Sequence, residues 1–377
     1  MADPFGWLAD RADARRSAGL RRSLHPRQAD STVIDLAGND YLALSRHPAV
    51  IEAGVDALRT WGAGSTGSRL VTGSTQLHAD LERALADHFG AQAGLVFSSG
   101  YTANLGALTA LATPGGLIVS DERNHASLVD ACRLARSRGS EVAVTPHNDP
   151  DAVAKALAAR VPGSGAIVVT DSVFSADGDV APLAELAAVA REAGAALLVD
   201  EAHALGAVGT RGRGAVCAAG LAGSPDVVVT ATLSKALGSQ GGAVLASQAV
   251  VDHLIDAART FIFDTGLAPA SAGSALAALR ILQSEPERGR RVREIAGRFA
   301  VALGTPLPAA AVVSVVLGEP ERAVAAAEAC RREGIHVGCF RPPTVPEGTS
   351  RLRIAVRADL TDAEVERAIR VIRRAMG

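Results

Sequence analysis

The stretch Ala195-Ala196-Leu197-Leu198-Val199-Asp200-Glu201-Ala202-His203 is a short unbroken apolar run that stops on two acids and, one residue on, a histidine. A run that is apolar at every position, not at alternate ones, predicts a strand buried on both faces, here over Ala195–Asp200. Just upstream, Pro182–Ala193 reads as a helix. Pro182 sits in its first turn, Leu183, Leu186, Ala187 and Ala190 share one face, and Gly194 is the stop. The same rhythm extends in both directions. Strands are predicted at Ala93–Phe97, Leu117–Val119, Val142–Thr145, Ala166–Asp171, Val227–Ala231 and Ala243–Ala246, with helix-like segments in most gaps. Seven such strands alternating with helices imply an α/β fold: one large domain built on a parallel sheet covered on both faces.

Beyond about residue 285 the pattern changes. A charged helix (Glu287–Phe299) is followed by a strand (Ala311–Leu317), a helix (Arg322–Glu333), strands at Ile335–Phe340 and Arg351–Val356, and a last helix (Asp362–Ala375). This reads as a smaller C-terminal α+β domain. The chain divides into an N-terminal helical segment (1–48), the large domain (49–284) and the small domain (285–377). The first 25 or so residues alternate apolar and basic side chains (Trp7, Leu8 and Leu20 against Arg15, Arg16, Arg21 and Arg22), which predicts an amphipathic helix packed on another surface.

Composition narrows the function. With 38 Lys plus Arg against 40 Asp plus Glu, there is no basic excess of the kind that nucleic acid requires. The four cysteines, Cys132, Cys217, Cys330 and Cys339, form no C-x-x-C pair, so neither a zinc site nor a dithiol redox site is supported. Scattered thiols suit a reducing compartment. The apolar runs are short; the nine residues Ala309–Leu317, with Ser314 among them, are about half a membrane span. The expectation is a soluble cytoplasmic protein with no metal, membrane or nucleic-acid partner.

Gly62-Ala63-Gly64-Ser65-Thr66-Gly67 is a formal G-x-G-x-x-G. A dinucleotide fingerprint follows a strand and opens a helix. Here it follows a helix-like stretch (Ala49–Trp61) and precedes the first predicted strand by about 30 residues. An NAD-dependent oxidoreductase is therefore a weak alternative, and a Gly-rich turn is the plainer reading.

Stronger signals lie where the strands end, the place where open α/β sheets bind ligands. Ser98-Ser99-Gly100-Tyr101 closes the first strand and opens a helix, offering backbone N–H groups to an anion. Asn124-His125 opens the helix after the second strand, Asp171, Ser172 and Ser175 follow the fourth, and Asp200 and His203 end the fifth. Thr232-Leu233-Ser234-Lys235 ends the sixth. Lys235 is one of only two lysines in the chain; the other, Lys155, falls on a predicted surface helix. A lysine for an aldehyde, an acid for a pyridine nitrogen and an anion cradle make up the set that pyridoxal 5'-phosphate (PLP) requires. Taken singly, Asp200 could be a helix cap and His203 a core histidine; it is their shared placement that points to a cofactor.

With these motifs, together with Asn39-Asp40-Tyr41-Leu42, Gly64–Arg69, Ser98–Asn104, His125-Ala126-Ser127, Val173–Gly178 and Arg341-Pro342-Pro343-Thr344-Val345-Pro346, the chain resembles the α-oxoamine synthases, fold-type-I PLP enzymes, over nearly its whole length. The resemblance implies a large domain with a seven-stranded, mostly parallel sheet, and a homodimer. It also implies site roles. Lys235 holds the cofactor aldehyde and moves the Cα proton. Asp200 pairs with the pyridine nitrogen. His125 and Ala202 cover the two ring faces. His203 and Ser175 lie at the phenolic oxygen. Gly100, Tyr101 and Thr232 hold the phosphate, joined by Thr265 from the partner subunit. Asn39 and Arg341 bind the amino-acid carboxylate, with Arg21 and Thr344 near the acyl substrate. The Arg-Pro-Pro-Thr-Val-Pro run resembles the branch that condenses L-alanine with pimeloyl-CoA, or a pimeloyl carrier-protein thioester, in biotin biosynthesis. Glycine-using siblings, such as 2-amino-3-ketobutyrate ligase and 5-aminolevulinate synthase, tend to carry Tyr-Pro there and remain the nearest alternative. Asp171, where the family usually has Glu, with Gly38, Ala204 and Phe263, departs from the family pattern; Ala204 and Phe263 bear on substrate selectivity.

Overall fold

The structure, a computed structural model, describes residues 3–377. Its eleven strands are β1 (Ile34–Leu36), β2 (Ala93–Phe97), β3 (Leu117–Asp121), β4 (Glu141–Thr145), β5 (Ala166–Asp171), β6 (Ala196–Asp200), β7 (Val227–Thr232), β8 (Gly242–Ala246), β9 (Val312–Gly318), β10 (Ile335–Phe340) and β11 (Ser350–Ala355). All seven strands expected in the large sheet form it, in the order β2-β8-β7-β6-β5-β3-β4. The pairings among β3 to β7 are parallel, whereas β8 is antiparallel to both β7 and β2. The reason is the connection. Leu233–Gly241 holds no helix and is too short for the crossover of a dozen or more residues that a parallel return needs.

The continuous apolar runs serve two cores. Ile167 and Val169 of β5, Leu198 of β6 and Val228 of β7 pack on one face of the sheet with Phe97, Ala107 and Leu128. Val168, Leu197, Val199 and Val229 point to the other face, whose core runs on into the small sheet through Val313, Val315, Leu352 and Ile354. Burial on both faces explains why these strands lack polar alternation.

The small sheet has the order β1-β10-β11-β9. The strand β1 belongs to the N-terminal segment and pairs in parallel with β10, Ile34 opposite Ile335. At three residues it is too short to show a period. The N-terminal helix spans Trp7–Ser17, not the first 25 residues, and none of its side chains is buried in this chain. The amphipathic packing expected of it is therefore not made within the chain. None of the described helices is long and apolar enough to cross a membrane.

The order of the large sheet reverses at β3: β4 lies on one side, and β5, β6 and β7 follow on the other. The carboxyl ends of β5, β6 and β7 thus lie side by side, with Asp171 opposite Asp200 and Asp200 opposite Thr230.

Candidate active site

The anion cradle comes first along the chain. Ser99, in extended backbone, caps the helix Gly100–Leu111. Its Oγ accepts the N–H of Thr102 at 3.1 Å, and Thr102 Oγ1 accepts the N–H of Ser99 at 3.1 Å. This capping box leaves the Gly100 and Tyr101 amides, the first two of the helix, with no intrahelical acceptor. A Cβ at Gly100 would lie 3.0 Å from Cβ of Thr232, so the glycine lets the helix start close against the end of β7. Tyr101 offers only its amide, because its hydroxyl bonds Asp130, which pushes the phenol's pKa up. Thr232 Oγ1 lies 2.7 Å from Ser234 Oγ.

Asp200, at the end of β6, is buried. Its Oδ2 accepts from Asn104 Nδ2 at 2.7 Å and its Oδ1 from the Ala202 N–H at 2.8 Å. N–H donors on both oxygens suit a carboxylate anion. Asp171 beside it has no such support: Oδ1 takes only a 3.4 Å bond from the His125 N–H, and the buried Oδ2 has no partner. Burial and the neighbouring Asp200 push its carboxyl well above the usual range. Glu201 turns the other way, accepting the N–H of Ala215 at 3.0 Å, and burial raises it to about 7.

Lys235 follows β7 by three residues. Burial lowers its pKa, against the pull of Asp200, to about 8. His125 caps the helix Ala126–Ser137, with Nδ1 at 2.7 Å from Ser127 Oγ, and burial lowers its pKa. His203 is buried, with Nδ1 at 2.6 Å from the Tyr41 hydroxyl. Burial, then Lys235 and Arg353, hold it well below the ordinary value, so it is a neutral ring.

Asn39 identifies a residue that sequence reasoning missed. Its Oδ1 accepts from Arg353 Nη1 at 3.0 Å. Arg353 Nε donates to the Ser175 carbonyl at 2.7 Å, and Nη2 lies 3.5 Å from the Tyr41 hydroxyl. Arg353 is 3% exposed, yet it forms no ion pair among the described residues. A buried guanidinium without an anion is costly, which suits a site that receives one. Arg341 is placed differently from expectation. Its guanidinium bonds the carbonyls of Gly19 and Arg21, not Asn39. Arg22, not Arg21, reaches Thr344, at 3.3 Å from its Oγ1. The 19–22 stretch and the 341–344 stretch are thus brought together, as one wall. The Arg351-Leu352-Arg353 spacing was the available signal: two charges on one face of an otherwise apolar strand.

Thr265 is exposed, its N–H bonded to Asp264, whose other oxygen meets Ser98 Oγ beside the cradle. Gly62–Gly67 lies between the helices Pro48–Trp61 and Gln76–Phe89 and packs on the 265–267 stretch, with the Gly266 N–H donating to the Gly67 carbonyl at 2.9 Å. It joins no strand to a helix and is no dinucleotide fingerprint. Among the described residues, no group of three or more His, Cys, Asp or Glu side chains is arranged to hold a metal.

The model of the class I and II aminotransferase family matches residues 31–372. The 8-amino-7-oxononanoate synthase of Mycolicibacterium smegmatis is 62% identical over 370 residues, 98% of this chain and 96% of that protein. Among solved structures, the serine palmitoyltransferase of S. paucimobilis with bound PLP–myriocin superposes with a TM-score of 0.92 at 31% identity, covering 99% of this chain and 98% of that one. An 8-amino-7-oxononanoate synthase from Francisella tularensis superposes with a TM-score of 0.76 at 25% identity, over 91% and 97% of the two chains.

Proposed function

The chain belongs to the class I and II aminotransferase family, and we propose that within it this enzyme makes 8-amino-7-oxononanoate for biotin biosynthesis, joining L-alanine to a pimeloyl thioester with release of CO₂ and the thiol. The observation that carries the reading is the convergence of Lys235, Asp200 and the Gly100–Tyr101 amides beside Arg353, a buried cation without an anion. The residues fit PLP: the open cradle amides suit its phosphate, Lys235 its aldehyde and Asp200 its ring nitrogen. His203 and Ser175 would hold the phenolic oxygen, His125 and Ala202 the ring faces, and Thr232 the phosphate. PLP is the cofactor, and when bound it supplies an aldehyde that captures amines and a ring that takes up the electron pair left on Cα when a proton or CO₂ departs.

The chain's own groups do the rest. Lys235, lowered to about 8, has a usable free-base fraction near neutrality and can take the Cα proton of alanine and return it. Arg353 and Asn39 hold the alanine carboxylate until it leaves as CO₂. Arg341, Arg21 and Thr344 are left for the acyl donor. His203, neutral and tied to Tyr41, connects the carboxylate-binding side to the cofactor side.

A second copy of the chain completes the site. Thr265 is exposed, and the segments around it carry apolar side chains open to solvent: Leu70 at 51%, Val71 at 78% and Phe263 at 70%. Together they form a surface suited to a homodimer, across which Thr265 of one copy reaches the phosphate held by the other. The test is product formation. L-alanine with pimeloyl-CoA, or with the pimeloyl thioester of a carrier protein, should give the nine-carbon amino ketone and CO₂. A higher kcat/KM for glycine with acetyl-CoA or succinyl-CoA would overturn the substrate assignment while leaving the cofactor chemistry standing.

A further inference from the structure

Each of the two site imidazoles has its Nδ1 against a hydroxyl, but only one of the two hydroxyls is fixed in direction. The Tyr41 hydroxyl beside His203 has a second acceptor in Asn39 Oδ1, at 3.1 Å. Ser127, beside His125, has less freedom. Asn104, 2% exposed, lies between three polar groups. Asp200 can only accept, so the amide nitrogen of Asn104 must face it, at 2.7 Å. The amide oxygen then accepts from Thr230 Oγ1 at 2.6 Å, and the second amide hydrogen goes to Ser127 Oγ at 2.8 Å. Ser127 is fully buried, and among the described residues His125 Nδ1, at 2.7 Å, is the one acceptor available to its hydrogen. The backbone N–H of Ser127 adds a second donor to the same nitrogen at 3.3 Å. A ring nitrogen that accepts from two donors carries no proton, so the hydrogen of the neutral ring sits on Nε2.

We propose that Asn104 is a positioning residue: one of its amide hydrogens fixes the Asp200 carboxylate, and the other, through Ser127, holds His125 in the Nε2–H form. A single buried amide then governs both the anion beneath the cofactor nitrogen and the ring that covers the cofactor face. The consequence for PLP rests on the function proposed above; the tautomer does not.

Two measurements test this. In cofactor-free protein labelled with ¹⁵N at histidine, and with His125 assigned through His125→Gln, Nδ1 should show the shift of an unprotonated ring nitrogen and Nε2 that of a protonated one. In Asn104→Ala and in Ser127→Ala the two shifts should move toward each other as the tautomers mix. Ser127→Thr keeps the hydroxyl and should restore the parent pattern, which a general packing defect would not allow. Titration with PLP should show binding weakened about tenfold or more in Asn104→Ala, the scale of a lost bond to a charged group. Ser127→Ala, which leaves Asn104 on Asp200, should weaken it by less than about threefold. A proton on Nδ1 in the parent overturns the proposal, as do unmoved His125 shifts in Ser127→Ala, which decide the matter even where Asn104→Ala does not fold. Unchanged PLP affinity in a folded Asn104→Ala overturns the Asp200 half. A parent that binds no PLP contradicts the functional reading instead, and the tautomer is still judged by its own shifts.

Discussion

Arg351 and Arg353 stand two residues apart on β11, both nearly inaccessible, and the surroundings of each are opposite in kind. Arg351 bonds Asp177, in the turn that joins Val173 to Val180, and Asp177 also meets Arg123 at 3.3 Å. The same turn is tied at Asp179 to His147, which reaches Asp121 with its other nitrogen. Every charge in that region has its counter-charge within the chain. Across the strand end, Arg353 has only neutral partners, and the Gly100 and Tyr101 amides have no acceptor within their own helix. One region is electrostatically closed and holds the turn that carries Ser175; the other is open and holds charge for molecules that come and go. Burial costs are met inside the fold in the first region and by ligand in the second.

The contrast is sharpest at Lys235. Lys235→Ala should fold but lose cofactor absorbance and cut turnover by roughly 10⁴ or more, as when a covalent nucleophile is removed. Assays of turnover and the visible spectrum check it; near-normal turnover would place the nucleophile elsewhere. Asp200→Asn comes next. An amide cannot stabilise a protonated ring nitrogen, and a loss of about 4 kcal/mol would slow turnover about a thousandfold while some PLP still binds. Near-normal exchange of the alanine α-proton in this variant would remove Asp200 from that role.

The two arginines that compete for the alanine carboxylate follow. Arg353→Ala should lower kcat/KM for alanine by about 30- to 1000-fold, the scale of a lost buried charge partner, mostly through KM. Arg341→Ala should lower it by less than about tenfold and fall mainly on the acyl donor. The reverse ranking would return the carboxylate to Arg341.

The closed region gives the smallest effect, and it appears in stability. Burial opposes the charge of His147, but hydrogen bonds to Asp121 and Asp179 outweigh it and raise the pKa to about 9. A folded pKa above the ordinary 6.5 means the contribution is complete below about pH 6.5 and is lost as pH rises through 9. Denaturant unfolding should show ~1–2 kcal/mol less stability at pH 9.5 than at pH 6.5 from this source, after allowance for solvent screening. His147→Gln should flatten that part of the profile; an unchanged slope would mean that the pair contributes nothing.

What could be read in the sequence follows the same division. Strands β3 and β5 to β8 were legible because doubly buried strands are continuous apolar runs, the edge strand β2 and the largely exposed edge strand β4 because they keep the same rhythm, and Asp200 and Lys235 because polar residues ending such runs have few other uses. Antiparallel β8 was not, since direction depends on the length of the link from Lys235 to Gly241. The side-chain partner of Asn39 was not legible for a different reason. A motif gives the residue type at Arg341 but not where the side chain points, and only the fold shows it turned to Gly19 and Arg21 while Arg353 faces Asn39. The alternation of Trp7 and Leu8 with basic residues gave a helix, but periodicity cannot say what covers it, and nothing in this chain does. The Asn104 relay joins one helix to two neighbouring strands and the cap of a second helix, a relation that no local pattern expresses.

The central claim is that Lys235 is the residue that holds the cofactor. The chain's two lysines make it directly measurable, because Lys155 is an exposed residue of the helix Pro150–Ala158 and serves as an internal control. Reduction of the purified, PLP-loaded protein with borohydride, followed by proteolysis and mass spectrometry, reads which lysine carries the phosphopyridoxyl group. The account predicts that group on Lys235, in a near-stoichiometric amount, with Lys155 unmodified. A label on Lys155 alone, or none on either lysine, would contradict the account.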